Sequence, residues 1–134
     1  MKIVLAIALL ISFCACKPSS PTYKLLSTCD SLVINFNEPN SNILARTVTT
    51  TNPIAVEKLA RFVDAKSTGF SKCGYDGNLM FYKEGILSSD VSFNFSGDGC
   101  HHFIMYLGNQ LHATEMSNEA ADFLKSLSEG KDWY

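Results

Sequence analysis

No apolar run in this chain is long enough to cross a bilayer. The longest, Ile3 to Phe13, is broken only by Ser12 and covers about eleven residues, where a spanning helix needs roughly twenty. An excess of charge is missing too. Lys and Arg number 11 against 13 Asp and Glu, a formal charge of −2, and the Lys residues are scattered rather than clustered. Such a chain has no general electrostatic attraction for nucleic acid, which sets that partner aside. The sequence holds no GxSxG elbow, HExxH, P-loop or Rossmann glycine run, so no standard hydrolytic, metalloprotease or nucleotide chemistry is signalled. There is no internal repeat.

What is present begins at the N-terminus. Lys2 precedes the apolar run, and no polar residue recurs there at the 3.6 period of a surface helix. Residues 1–15 therefore read as a secretory signal peptide. The run ends in Phe13-Cys14-Ala15-Cys16. A small residue directly before a cysteine resembles a bacterial lipoprotein signal, with Phe13 where an aliphatic residue is usual. The resemblance implies cleavage after Ala15 and a thioether-linked diacylglycerol on Cys16. The alternative is ordinary cleavage that leaves Cys16 a free thiol. Several acyl chains, at ~0.8 kcal/mol per buried methylene, would hold the protein to a membrane permanently. Lys17-Pro18-Ser19-Ser20-Pro21-Thr22 reads as an extended tether, with residues 16–28 outside the folded domain.

The mature chain from Cys16 onward is 119 residues, enough for one domain. Without Lys2, 10 basic residues stand against 13 acidic ones, a formal −3. Of the 5 cysteines, three besides the anchor remain, Cys29, Cys73 and Cys100. Outside the cytoplasm an odd count implies one bridge and one leftover thiol.

Over residues 29–134 the periodicity predicts a single α+β domain. Leu32, Ile34 and Phe36 alternate against Val33, Asn35 and Asn37 over a strand from Ser31 to Asn37. Residues 38–42 make a turn, and a Thr- and Val-rich strand follows over 43–51. Asn52-Pro53 places an N-cap and a first-turn proline before Val56, Leu59, Ala60 and Val63, a helical stripe. Strands then follow over 78–83, 89–96, 101–107 and 110–116, the last pair joined by Gly108-Asn109. Ser117 caps a second helix that buries Ala120, Phe123, Leu124 and Leu127. The architecture expected is an antiparallel β-sheet of about five to seven strands with two helices packed on one face. Trp133-Tyr134 would dock on that sheet.

Pairing Phe81 with Val91 and Leu79 with Phe93, and extending that register, sets residue 73 opposite 99. Cys73 and Cys100 then fall within about one residue of each other, beside the glycine-containing turns KCGYDG and SGDGC. A bridge there contributes roughly 3–4 kcal/mol in the chain-entropy model. The alternative gives Cys29 one of these partners. The same register gathers Asp76, Asp98, His101 and His102. Such donors suit a divalent ion, but Asp-Gly pairs serve tight turns anyway and adjacent histidines on a strand point to opposite faces. His112 lies opposite Met105, too far from His101 to share an ion. No metal or other cofactor is expected, and the cluster stands as a surface feature. Cys100 and His101 diverge in the same way, which is poor geometry for a nucleophile and its base. Tyr75, Phe81, Tyr82, Phe93, Phe95, Phe103 and Tyr106 read as core and cross-strand pairs rather than the lining of an apolar pocket.

The CGYDG, CHHF and SNEAADFL stretches, with the signal, resemble small bacterial lipoproteins of uncharacterised families. That resemblance implies no activity. The expectation is a membrane-anchored, extracytoplasmic, non-enzymatic binding or interaction module with a protein or envelope partner, in size and class similar to small lipoprotein inhibitors of hydrolases. A thiol-dependent enzyme or redox protein, and a carrier of an apolar ligand, are the alternatives.

Overall fold

The computed structural model describes residues 19–70 and 72–131. The expected signal segment, Cys16 and Trp133-Tyr134 lie outside the described residues. The fold is α+β. Six strands, β1 (Ser31–Asn37), β2 (Leu44–Thr50), β3 (Gly77–Lys83), β4 (Ile86–Asn94), β5 (His102–Leu107) and β6 (Gln110–Glu115), form one sheet in the order β2-β1-β3-β4-β5-β6. Every pairing is antiparallel.

Period-two alternation decides which face is buried. Leu32, Ile34 and Phe36 of β1, Leu79 and Phe81 of β3, Val91 and Phe93 of β4, and Phe103 and Met105 of β5 form one apolar face. Two helices, α2 (Pro53–Val63) and α3 (Asn118–Ser128), join the same core through Val56, Leu59, Ala60, Val63, Ala120, Leu124 and Leu127. Phe81 and Phe93 have no accessible surface, and burying side chains of this size stabilises by about 1.5–3 kcal/mol each. Among the described residues no helix is long and apolar enough to cross a membrane.

The expected tether ends early. Pro21–Ser27 forms a helix, α1, and buries Leu26 completely in the core. The local cause is Ser20-Pro21. The Ser20 side chain accepts from the Tyr23 amide at 3.0 Å as N-cap, and Pro21 occupies the first turn, where its missing N–H costs nothing. Ser20 Oγ also donates to Asp64, the C-cap of α2, and Tyr23 Oη donates to Glu57 of α2 at 2.9 Å. Residues 20–28, expected as tether, thus belong to the folded domain.

The β3–β4 register also differs from expectation. Leu79 pairs with Val91 and Phe81 with Ser89, two residues from the anticipated match, and a bulge falls between Phe81 and Tyr82. Glu84 and Gly85 carry φ of 51° and 78°, the positive values a two-residue type I′ turn requires at both central positions. A shift of two leaves every side chain on its own face, so the core is unchanged.

The other face is polar where β2, β1, β3 and β4 meet. Thr47 Oγ1 donates to Asn35 Oδ1 at 2.9 Å, and Asn78 Nδ2 donates to Asp90 Oδ1 at 2.7 Å. Towards β5 and β6, Asn94, His102, Ile104 and Ala113 are buried on this helix-free face. The chain leaving α2 bridges the outer edge of β6, where Ser67 faces Thr114 and Thr68 N donates to Ala113 O at 3.0 Å. From that edge it must return past β5 and β4 to reach β3. On the way the Gly74 carbonyl accepts from Asn94 Nδ2 at 2.6 Å.

Candidate functional site

Three segments distant in sequence meet at one end of the sheet: the β1–β2 loop over 38–43, the approach to β3 over 72–76, and the β4–β5 connection over 95–101. Each follows or precedes a central strand, so the antiparallel order brings them together. Cys73 and Cys100 are joined by a disulfide with their Cα atoms 6.0 Å apart, within the normal span for such a bond. The bridge expected from the sequence therefore forms even though the register behind that expectation was two residues out. The irregular chain on both sides of the bond absorbs the difference.

Asp76 organises this end. Its amide donates to Phe93 O at 2.9 Å and its carbonyl accepts from Asn37 N at 2.8 Å, which extends the pairing of β3 to both neighbours. Its carboxylate accepts from Phe95 N at 2.6 Å, Ser96 N at 2.9 Å and Ser96 Oγ at 2.6 Å. Hydrogen bonds to a charged acceptor are the strong kind. Asn94 holds the loop from the other side: Nδ2 bonds Gly74 O, and Oδ1 accepts from Gly97 N at 2.9 Å. Asn37 Nδ2 reaches Tyr75 O at 3.3 Å.

Between these segments lies a cavity of about 410 Å³, within the range of small-molecule sites. Asn40, Asn42, Tyr75 and Ser96 are among its walls, with the disulfide at one side. Among the described residues no Lys, Arg, His or Glu lines it, and Asp76 is the charged one. The side-chain amides of Asn40 and Asn42 have no partner among the described residues. Asn40 takes φ of 55°, a conformation Asn tolerates better than most, and this turns the loop.

The candidates named from sequence fare unequally. Asp76 is in the site, with both carboxylate oxygens engaged. Asp98 and His101 are exposed, and His102 is 3 % exposed on the opposite side of the strand from His101. Burial lowers the pKa of His102, and its Nε2 has no hydrogen-bond partner among the described residues. Among the described residues no three His, Cys, Asp or Glu side chains stand together as a metal-binding group. Cys29 is a buried free thiol whose Sγ faces Leu25 O at 3.6 Å, and burial raises its pKa. That is opposite to the shift that activates a nucleophilic cysteine. Phe81, Phe93 and Phe103 fill the core, while Tyr75 and Tyr106 are exposed.

A second hollow, of about 520 Å³, lies along α2 and includes Glu57, Arg61, Phe62 and Glu119. Glu57 there already binds Arg61 at 2.7 Å and Tyr23 at 2.9 Å, and these bonds hold its carboxyl below the usual range. Asn40 and Asn42 were not singled out in the sequence. They lie more than thirty residues from Cys73, and their composition signals only a turn. No protein-family model matches the chain, and neither a curated protein nor a solved structure matches it.

Proposed function

We propose that this protein is a non-enzymatic binding module, tethered by a lipid on Cys16 to the extracytoplasmic side of a bacterial membrane. Its ligand site is the cavity beside the Cys73–Cys100 bridge. One observation carries the reading: neutral hydrogen-bonding groups on three remote segments face one cavity. Two of those segments are clamped together by a covalent bond and by Asp76 and Asn94, and the third is joined to them at its base through Asn37. Pre-organisation of this kind lowers the entropic cost of binding. The Ala15-Cys16 junction and the apolar leader support the anchor. A route for export also supports a lasting disulfide.

The test uses the protein as its own cells make it. Cys16→Ser should move it from the membrane fraction to the soluble fraction, and intact mass should show the acyl chains lost; a wild-type chain with an unmodified sulfur would end the anchor reading. Envelope extract passed over wild-type protein and over N40A/N42A should leave bound material only on the wild type. Equal retention would remove the cavity from the account. The thiol reading is checked with a thiol reagent: Cys29 should react only on unfolding.

A further inference from the structure

The chemistry of the cavity walls selects among ligand classes. An anion finds no lysine, arginine or histidine there among the described residues. A cation finds one carboxylate, Asp76, already accepting three hydrogen bonds. An apolar ligand would cover the amides of Asn40 and Asn42 without pairing them, and a polar group covered without a partner costs free energy. What fits is an uncharged molecule rich in groups that both donate and accept. Each Asn amide offers two donors and an acceptor. The Ser41 hydroxyl, whose oxygen accepts from Ile43 N at 2.9 Å, keeps its own proton to give. Ser96 Oγ, which donates to Asp76, keeps its lone pairs. Beside them Tyr75 is 43 % exposed and presents an apolar ring with a polar tip.

From this set we infer that the cavity binds a neutral carbohydrate. The amides and hydroxyls of Asn40, Asn42, Ser41 and Ser96 meet sugar hydroxyls, and the Tyr75 ring covers the C–H face of one pyranose. The inference rests on the cavity being the ligand site. Its hydrogen-bonding walls imply selectivity, because a site built around hydroxyl partners rejects a ligand that lacks them.

The experiment is a binding screen of the full-length chain, held in mild detergent, against an array of neutral oligosaccharides: α- and β-glucans, mannans, galactans and chitooligosaccharides. Inorganic phosphate and laurate serve as charged and apolar comparisons. At least one neutral glycan should bind, with affinity falling at least tenfold in N42A and in Y75A and little changed in Y75F. Binding by none of the glycans overturns the inference, as does glycan binding that N42A and Y75A leave unaltered, or tighter binding of phosphate or laurate. The two readings separate cleanly. If N40A/N42A loses material captured from envelope extract while no glycan binds, the cavity remains the ligand site and the carbohydrate is wrong. If neither readout responds, both readings fall.

Discussion

At one end of the sheet β3 turns into β4 through Glu84 and Gly85, and β5 into β6 through Gly108 and Asn109; at the other, no two strands are joined by so short a link. The first end is built locally. The positive φ that a tight hairpin needs is supplied on the spot, by Glu84 and Gly85 in one turn and by Gly108 in the other, and the pairing of Lys83 with Ile86 and Leu107 with Gln110 follows at once. The second end is built across the chain, by a bond between residues 27 apart and by Asp76, which holds Phe95 and Ser96 about twenty positions away. Local construction gives stability with little freedom to shape a surface. Remote construction lets three loops enclose a space, and it makes that space depend on a few side chains.

The contrast is open to direct tests. Breaking the disulfide, by reduction or by C73S/C100S, should have the largest effect: about 3–4 kcal/mol in urea unfolding, from the loop closed by the bond, with ligand binding lost. Asp76→Asn should cost about 2 kcal/mol, since an amide cannot accept all three bonds and loses the charge that strengthens them. Binding should weaken with it. At the hairpin end Gly85→Ala should cost about 1 kcal/mol, because an L side chain is strained at positive φ, yet leave binding intact. A Gly85→Ala protein that loses the ligand, or an Asp76→Asn protein that keeps it with full stability, would dissolve the distinction between the ends.

The smallest effect is one of pH. His102 begins β5 at the clamped end, with Asn94 and Glu115 opposite it on the neighbouring strands. Burial lowers its pKa in the folded state. The unfolded chain therefore takes up the proton first as pH falls below about 6.5, so the contribution is fully present above that value and declines from there towards the folded pKa. Urea midpoints at pH 7 and pH 5 should converge in His102→Leu relative to the wild type. An unchanged difference would mean that His102 does not titrate against the fold.

Much of the architecture could be read along the chain, where a short-range rule applied. The alternation in Ser31–Asn37 assigned Leu32, Ile34 and Phe36 to the core, and Asn52-Pro53 marked the start of α2. The same rule at Ser20-Pro21 marks α1, yet that segment read as tether, because only four residues of Tyr23–Leu26 carry the pattern and two prolines precede it. What makes those residues a helix rather than a linker is Leu26 in the core and Tyr23 on Glu57, more than thirty positions away. For the candidate site, Asp76 and both cysteines were found from sequence, whereas Asn40 and Asn42 carried no signal beyond their turn.

Hydrophobic period, capping residues and turn chemistry thus determined the strands, the two longer helices and the buried face, since each of these is an interaction between residues a few positions apart. The tertiary structure alone decided the seating of α1, the two-residue register of β3 on β4, and the meeting of the 38–43 loop with the bridged segments. Those outcomes turn on which distant groups exclude water and pair with one another, a choice made only when the sheet closes over its core.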